Sequence, residues 1–209
     1  MSFMRIVLAS TSASRLSVLR SGGVEPVLAA PVGVDEDALL DSLSDASAAE
    51  KVAQLARAKA HAVAGKFPGE VVIGGDSMLL IEGQLQGKPH TPEVAIERWK
   101  NQRGKTAELL SGHCLIGPEG QEYVETASTT LRFASPSDAD IAAYVATGEP
   151  LPCAGAFTLE AIGGWFIDNI DGDPSGVIGL SLPVVRRGLY SFGLDVHEFF
   201  SPELTRPAT

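Results

Sequence analysis

Val71-Val72-Ile73-Gly74-Gly75-Asp76-Ser77 decides how the rest of the chain is read. Three β-branched apolar residues in a row have the form of a central strand, buried on both faces. The glycine pair admits another backbone or a ligand at close range, and Asp76 follows at the strand end, where a carboxylate can activate water or help hold a metal. Ser77 to Ile81 continues or restarts the strand, and Glu82-Gly83-Gln84 has the chemistry of a turn.

Upstream, Ala46 to Ala64 is the clearest helical stretch. Val52, Leu55, Ala56, Lys59, Ala60 and Val63 recur at three- and four-residue intervals, which places Lys59 beside the apolar stripe. Met4 to Leu8 reads as a short buried strand, and Ser14 to Arg20 as a helix closed by Ser21-Gly22-Gly23. Between them, Ser10, Thr11, Ser12 and Ser14 offer hydroxyls beside Arg15. Such a turn at a helix start can surround phosphate oxygens, although it lacks the GxxxxGK[ST] pattern of a P-loop. Val27 to Ala30 suits a second strand leading to Asp35-Glu36, read as a loop or irregular edge.

Downstream, Gly87-Lys88-Pro89 is a turn that fixes the stem of a lysine. Thr91-Pro92-Glu93 starts a helix, Ala107 to Ile116 and Glu122 to Phe133 read as strands, and Ser137 to Thr147 as a helix capped by serine. Gly163 to Ile170 is strand-like, Leu180 to Leu189 is a helix with Pro183 in its first turn, and the tail from Ser201 looks frayed. Helices alternating with strands give a mixed α/β fold.

The 209 residues, 44% hydrophobic and 20% charged, suffice for a sizeable core. A net charge of −10 argues against nonspecific binding to a nucleic acid polymer or an anionic membrane, so any polyanion site must be local. No apolar run reaches membrane-spanning length, and Ile6 to Ala9 is too short for a signal sequence. Cys114 and Cys153 lack zinc-site spacing, and reduced thiols suit a cytoplasmic protein.

Each candidate residue also has an ordinary reading. Ser10 and Ser12 beside Arg15 are phosphate contacts or a solvated helix cap. Glu36 is an active-site acid or surface charge, and Lys59 reaches a polyphosphate or snorkels from a packed helix. Asp76 does chemistry or caps a turn, with Ser77 orienting the same ligand. His113 is a catalytic histidine or a half-exposed one in a loop or strand, Glu149 and Glu160 are candidate cation ligands, and Asp168, Asp171 and Asp173 are cation ligands or a polar turn without EF-hand spacing.

In order, LASTSASR (Leu8–Arg15), VDE (Val34–Glu36), LARAKA (Leu55–Ala60), VIGGDS (Val72–Ser77), GKP (Gly87–Pro89), LSGH (Leu110–His113), YVATGEP (Tyr144–Pro150) and GDPSGVIGLSLP (Gly172–Pro183) resemble the Maf family of nucleoside triphosphate pyrophosphatases. Each motif is weak by itself, and their order and spacing over nearly the whole chain are specific. The resemblance implies an α/β fold like that of the inosine triphosphatases, an extended mixed β-sheet flanked by helices, with two lobes around a deep cleft. It implies a single domain over residues 1–200, ahead of a flexible tail at 201–209. The implied reaction is metal-dependent hydrolysis of a nucleoside triphosphate to the monophosphate and pyrophosphate, with Mg²⁺ or Mn²⁺. Asp76 takes the role of proton acceptor, Arg15, Lys59 and Lys88 contact phosphates, Glu36 organises metal or site, and Ser77 and Glu160 fall at nucleotide-selectivity positions. Dimers are common in the family, implying a homodimer.

The chain departs from the pattern in places. Ala13-Ser14 stand where many relatives have Pro-Arg, Gly-Gly-Asp-Ser replaces the GADT-like motif, and Pro152-Cys153 removes an Asp-Lys pair. Glu160 replaces the Gln of relatives acting on dTTP and UTP and is more like the branch acting on methylated guanosine triphosphate. The enzyme alternative is a kinase or transferase, which needs a phosphoryl acceptor. The other alternative is a nucleotide-binding regulator of division or growth.

Overall fold

The computed structural model describes residues 4–205. Fourteen regular elements alternate along them: β1 (Ile6–Ala9), α1 (Ala13–Ser21), β2 (Val27–Leu28), α2 (Glu36–Ser42), α3 (Ala48–Ala64), β3 (Val71–Ile81), β4 (Gln84–Gln86), α4 (Pro92–Gln102), β5 (Thr106–Ile116), β6 (Glu122–Phe133), α5 (Asp138–Ala146), β7 (Ile167–Asp171), α6 (Pro174–Ile178) and α7 (Leu182–Ser191). The sheet is mixed and open, as expected, with strand order β2-β1-β3-β5-β6-β7 and β4 paired to β3. Strand β1 runs parallel to β2 and to β3, in a register that sets Ala9 opposite Gly74. The β3–β4 and β6–β7 pairs are antiparallel.

The chain divides into two compact units. One holds the described residues up to Asp76, Ser111–Ala127 and the described residues from Gly179 on. Its core sets Val7 and Ala9 of β1 and Val72 of β3 against Ala56, Ala60 and Val63 of α3. The other holds Ser77–Leu110 and Ser128–Ile178. There Trp99 of α4 is fully buried, with edge-on contacts to Phe133, Tyr144 and Phe166 at centroid distances of 5.5, 5.8 and 5.6 Å. Its indole N–H donates to the Ala156 carbonyl at 2.7 Å, satisfying the polar end of a ring that is otherwise in apolar surroundings.

Several local expectations are corrected. Asp35-Glu36 is the start of a helix, because the Asp35 carboxylate accepts the Ala38 N–H at 3.0 Å and acidic residues favour a first turn. Ser77 to Ile81 continues β3 through Gly74-Gly75, so Asp76 stands inside the strand and not at its end, and Gln84 belongs to β4. β2 is only two residues long. Ile162–Phe166 is a 3₁₀ turn, so the strand expected from Gly163 begins at Ile167. Residues 201–205 form a turn anchored by the Ser201 N–H, which donates to the Gly23 carbonyl at 2.7 Å. The remainder of the expected tail, 206–209, lies outside the described residues.

Candidate functional site

Helix α3 lies against the sheet at two glycines. A β-carbon on Gly74 would overlap the Ala56 carbonyl and come within 2.6 Å of the Ala60 nitrogen, and one on Gly112 of β5 would stand 2.5 Å from the Val52 carbonyl carbon. These seats allow the helix backbone to approach the strands directly. The same approach delivers Lys59, only 7% exposed, to the end of the glycine pair. Its ammonium meets Asp76 Oδ1 at 2.5 Å and Glu36 Oε1 at 3.0 Å. Asp76 is buried, whereas Glu36 on the first turn of α2 is half exposed.

Arg15 is the second cation of this group. Gly75 leaves room for it, since a β-carbon there would be 3.2 Å from Arg15 Nε. The guanidinium donates from Nε to the Gly179 carbonyl at 2.9 Å and from Nη1 to Ser10 Oγ at 3.2 Å. Burial lowers the Arg15 pKa, and the charges of Asp76 and Glu36 oppose that shift. Buried Ser10 also accepts the Ser12 N–H at 3.1 Å, and Ser12 caps α1 through the Arg15 N–H. The unit therefore gathers Ser10, Ser12, Arg15, Glu36, Lys59 and Asp76, a set of cations and carboxylates around a helix N-terminus.

Ser77, Lys88 and Glu160 belong to the other unit. Lys88 and Glu160 are exposed. The turn carrying Lys88 is held by Arg98, whose guanidinium donates to the Gly87 carbonyl at 2.6 Å. Burial raises the Cys153 thiol to about 11, Glu160 and Glu149 push it the same way, and Lys88 opposes them, so these four groups lie within electrostatic reach of each other.

Two polar residues differ from their sequence reading, and a third, Asp173, keeps to its place in a polar turn. His113 is fully buried on β5, and its Nε2 accepts the Ser181 N–H at 2.8 Å. Glu149 organises a loop: it accepts from the Tyr144 and Thr158 hydroxyls and from the Ile162 and Gly163 N–H groups, the last at 3.0 Å. Asp173 caps the start of α6 through the Ser175 and Gly176 N–H groups. The Gly74-Gly75 pair was legible as a place of close approach, but Gly112 and Gly179 were passed over as site components, because a seat for a neighbouring helix or guanidinium is visible only once that neighbour is placed. Among the described residues no cluster of three or more His, Cys, Asp or Glu stands ready to hold a metal. No helix among them is long and apolar enough to cross a membrane.

Residues 5–192 match the family model described as Maf-like protein, running through both units. A nucleoside triphosphate pyrophosphatase of Corynebacterium diphtheriae is 69% identical, covering 95% of this chain and 99% of that protein. Proteins of the same name from Corynebacterium aurimucosum and a Mycobacterium species are 63% and 51% identical, covering 95% and 92% of this chain and 99% and 96% of theirs. The Staphylococcus aureus Ham1 structure is a slighter likeness, at 17% identity and a TM-score of 0.39 over 62% of this chain and 71% of that one. With the motifs in order, the Lys59–Asp76 pair beside the glycines of β3, and a family match over most of the sequence, the chain belongs to the Maf-like protein family.

Proposed function

We propose that this protein hydrolyses a nucleoside triphosphate to the nucleoside monophosphate and pyrophosphate, through attack of water at the α-phosphorus. The observation that carries this reading is the buried Lys59 ammonium shared by Asp76 and Glu36, in a unit that also holds Arg15 and the serine-rich N-terminus of α1. Relatives over nearly the full length are named for this activity.

Asp76 takes a proton from the attacking water as its oxygen bonds to the α-phosphorus. The bond from that phosphorus to the α–β bridging oxygen breaks, and pyrophosphate departs with the electron pair. Arg15 and Lys59 balance the charge gathering on the leaving group, with Ser10, Ser12 and the first N–H groups of α1 orienting phosphate oxygens. Asp76 and Glu36, which both reach the Lys59 ammonium, are hard oxygen donors of the kind that would hold Mg²⁺ or Mn²⁺, since such a cation uses one or two carboxylates with water and substrate phosphates completing its shell. When bound, the cation neutralises the triphosphate and polarises the α-phosphorus. We assign Lys88 to the phosphates, and Ser77 and Glu160 to the choice of base, from the resemblance. A homodimer in the cytoplasm that removes noncanonical or modified nucleotides completes the proposal.

The test is Asp76→Asn, assayed over canonical and modified nucleoside triphosphates with Mg²⁺ or Mn²⁺ by release of both monophosphate and pyrophosphate. Turnover should fall by roughly 10² to 10⁴, the usual weight of a positioned general base, while nucleotide Kd changes only about threefold. Undiminished turnover excludes Asp76 as the base. Nucleotide binding by the wild type without pyrophosphate release, across the panel, excludes the enzyme reading.

A further inference from the structure

His113 sits in β5 with its ring wholly buried, and it touches neither Lys59 nor Asp76 among the contacts of the described residues. Its Nε2 accepts the backbone N–H of Ser181, the residue whose hydroxyl caps α7. Two residues earlier, the Gly179 carbonyl accepts Arg15 Nε at 2.9 Å. Gly179 has φ +134°, in a region that favours glycine, and a β-carbon there would stand 3.4 Å from Arg15 Cγ. The segment 179–181 is therefore pinned at one end by the imidazole and grips the guanidinium at the other.

We propose that His113 is a positioning residue that acts through Arg15: by accepting the Ser181 N–H it fixes the Gly179 carbonyl, and so aims the guanidinium. The proposal rests on the phosphate role assigned to Arg15 above. A histidine suits the task because an imidazole accepting at Nε2 is neutral, with its proton on Nδ1, so it adds no second cation beside Arg15. Nδ1 is buried and makes no hydrogen bond among the described residues. Burial and the Arg15 charge both favour the neutral ring. Ordering the guanidinium before substrate arrives removes an entropic cost from binding the triphosphate.

The experiment is a double-mutant cycle of His113→Leu and Arg15→Ala, with His113→Asn and His113→Gln alongside. Leu removes the acceptor, Asn is too short to reach Ser181, and the Gln amide oxygen extends about as far as Nε2. Activity is read as pyrophosphate released from the nucleoside triphosphate that the wild type turns over fastest. H113L should lower kcat/KM roughly tenfold, chiefly through KM, and H113N similarly, while H113Q regains most of the loss. In the R15A background the H113L loss should shrink to about twofold or less. A merely structural histidine costs the same factor in both backgrounds, and that result overturns the proposal.

A second measurement needs no substrate. Solvent exchange of the Arg15 Nε–H, followed by ¹⁵N NMR in the unliganded protein, should accelerate in H113L or H113N and be restored in H113Q. Unchanged exchange in a folded variant overturns the positioning role whatever the kinetics. If R15A hydrolyses like the wild type, the phosphate role of Arg15 falls, and the exchange measurement still decides whether His113 orders the guanidinium.

Discussion

Lys59 is a buried cation held between two carboxylates. Its side chain is 9% exposed and that of Asp76 is 10% exposed, so each ion has surrendered most of its hydration and depends on the other. Glu36 is 48% exposed and contributes less, because water screens it. Removing the cation alone should therefore cost more than removing the pair. We expect Lys59→Met to lower unfolding free energy by about 3 kcal/mol, and the double change with Asp76→Asn to recover more than half of that without restoring activity. Urea unfolding of the single and double variants measures both; an additive loss would mean that Lys59 and Asp76 are not coupled in the fold. The placement of Lys59 beside the apolar stripe was legible from helical periodicity, since residues 52, 55, 56, 59, 60 and 63 are the buried positions of α3. Its partners were not, because Asp76 is seventeen residues away and only the approach of helix to strand unites them.

At the scale of elements, two adjacent glycines have different tasks, and substitution separates them. Gly74 seats α3 backbone against β3, whereas Gly75 faces the side chain of Arg15. Backbone cannot retreat without moving a whole helix, but a guanidinium can shift by a few tenths of an ångström. Gly74→Ala should destabilise the protein by about 3 kcal/mol or prevent folding. Gly75→Ala should fold normally and raise KM roughly threefold to tenfold by displacing Arg15. Thermal melts and steady-state kinetics distinguish the outcomes, and equal stability losses would refute the division of labour. The long strands and α3, α4, α5 and α7 were readable because their apolar periodicity extends over many residues. Helix α2 was not, having no buried residue to mark a face, although the Asp35 cap and acidic first turn were available signals. β4 and α6, three and five residues long, are too short for periodicity to register. The sequence left open whether β3 continues or restarts after the Gly-Gly pair, and it continues, because a strand passes straight through glycines when a neighbour presses against them.

The stability of the whole molecule should carry the mark of one buried ring. Burial, and to a lesser degree the charge of Arg15, push the His113 pKa from 6.5 down to about 4, while Glu125 pulls weakly the other way. Because the folded value lies below the unfolded one, the unfolded chain binds more protons between those limits. Stability contributed at this site is therefore complete above about pH 6.5 and is lost progressively as pH falls toward 4, reaching on the order of 3 kcal/mol. Protonation has a direct structural cost, since a hydrogen on Nε2 would confront the Ser181 N–H that it now accepts. Glu125 and Glu149, whose pKa values are lowered by their partners, also lose stabilisation in acid, so the acid slope of the wild type alone does not isolate the histidine. Comparison with His113→Gln does, because glutamine has no proton to gain while the carboxylates are common to both proteins. Denaturant unfolding at pH 7 and 4.5 should show the wild type losing about 2 to 3 kcal/mol more than H113Q. Parallel losses would place the histidine's protonation outside this window and remove the ring from the acid sensitivity of the fold.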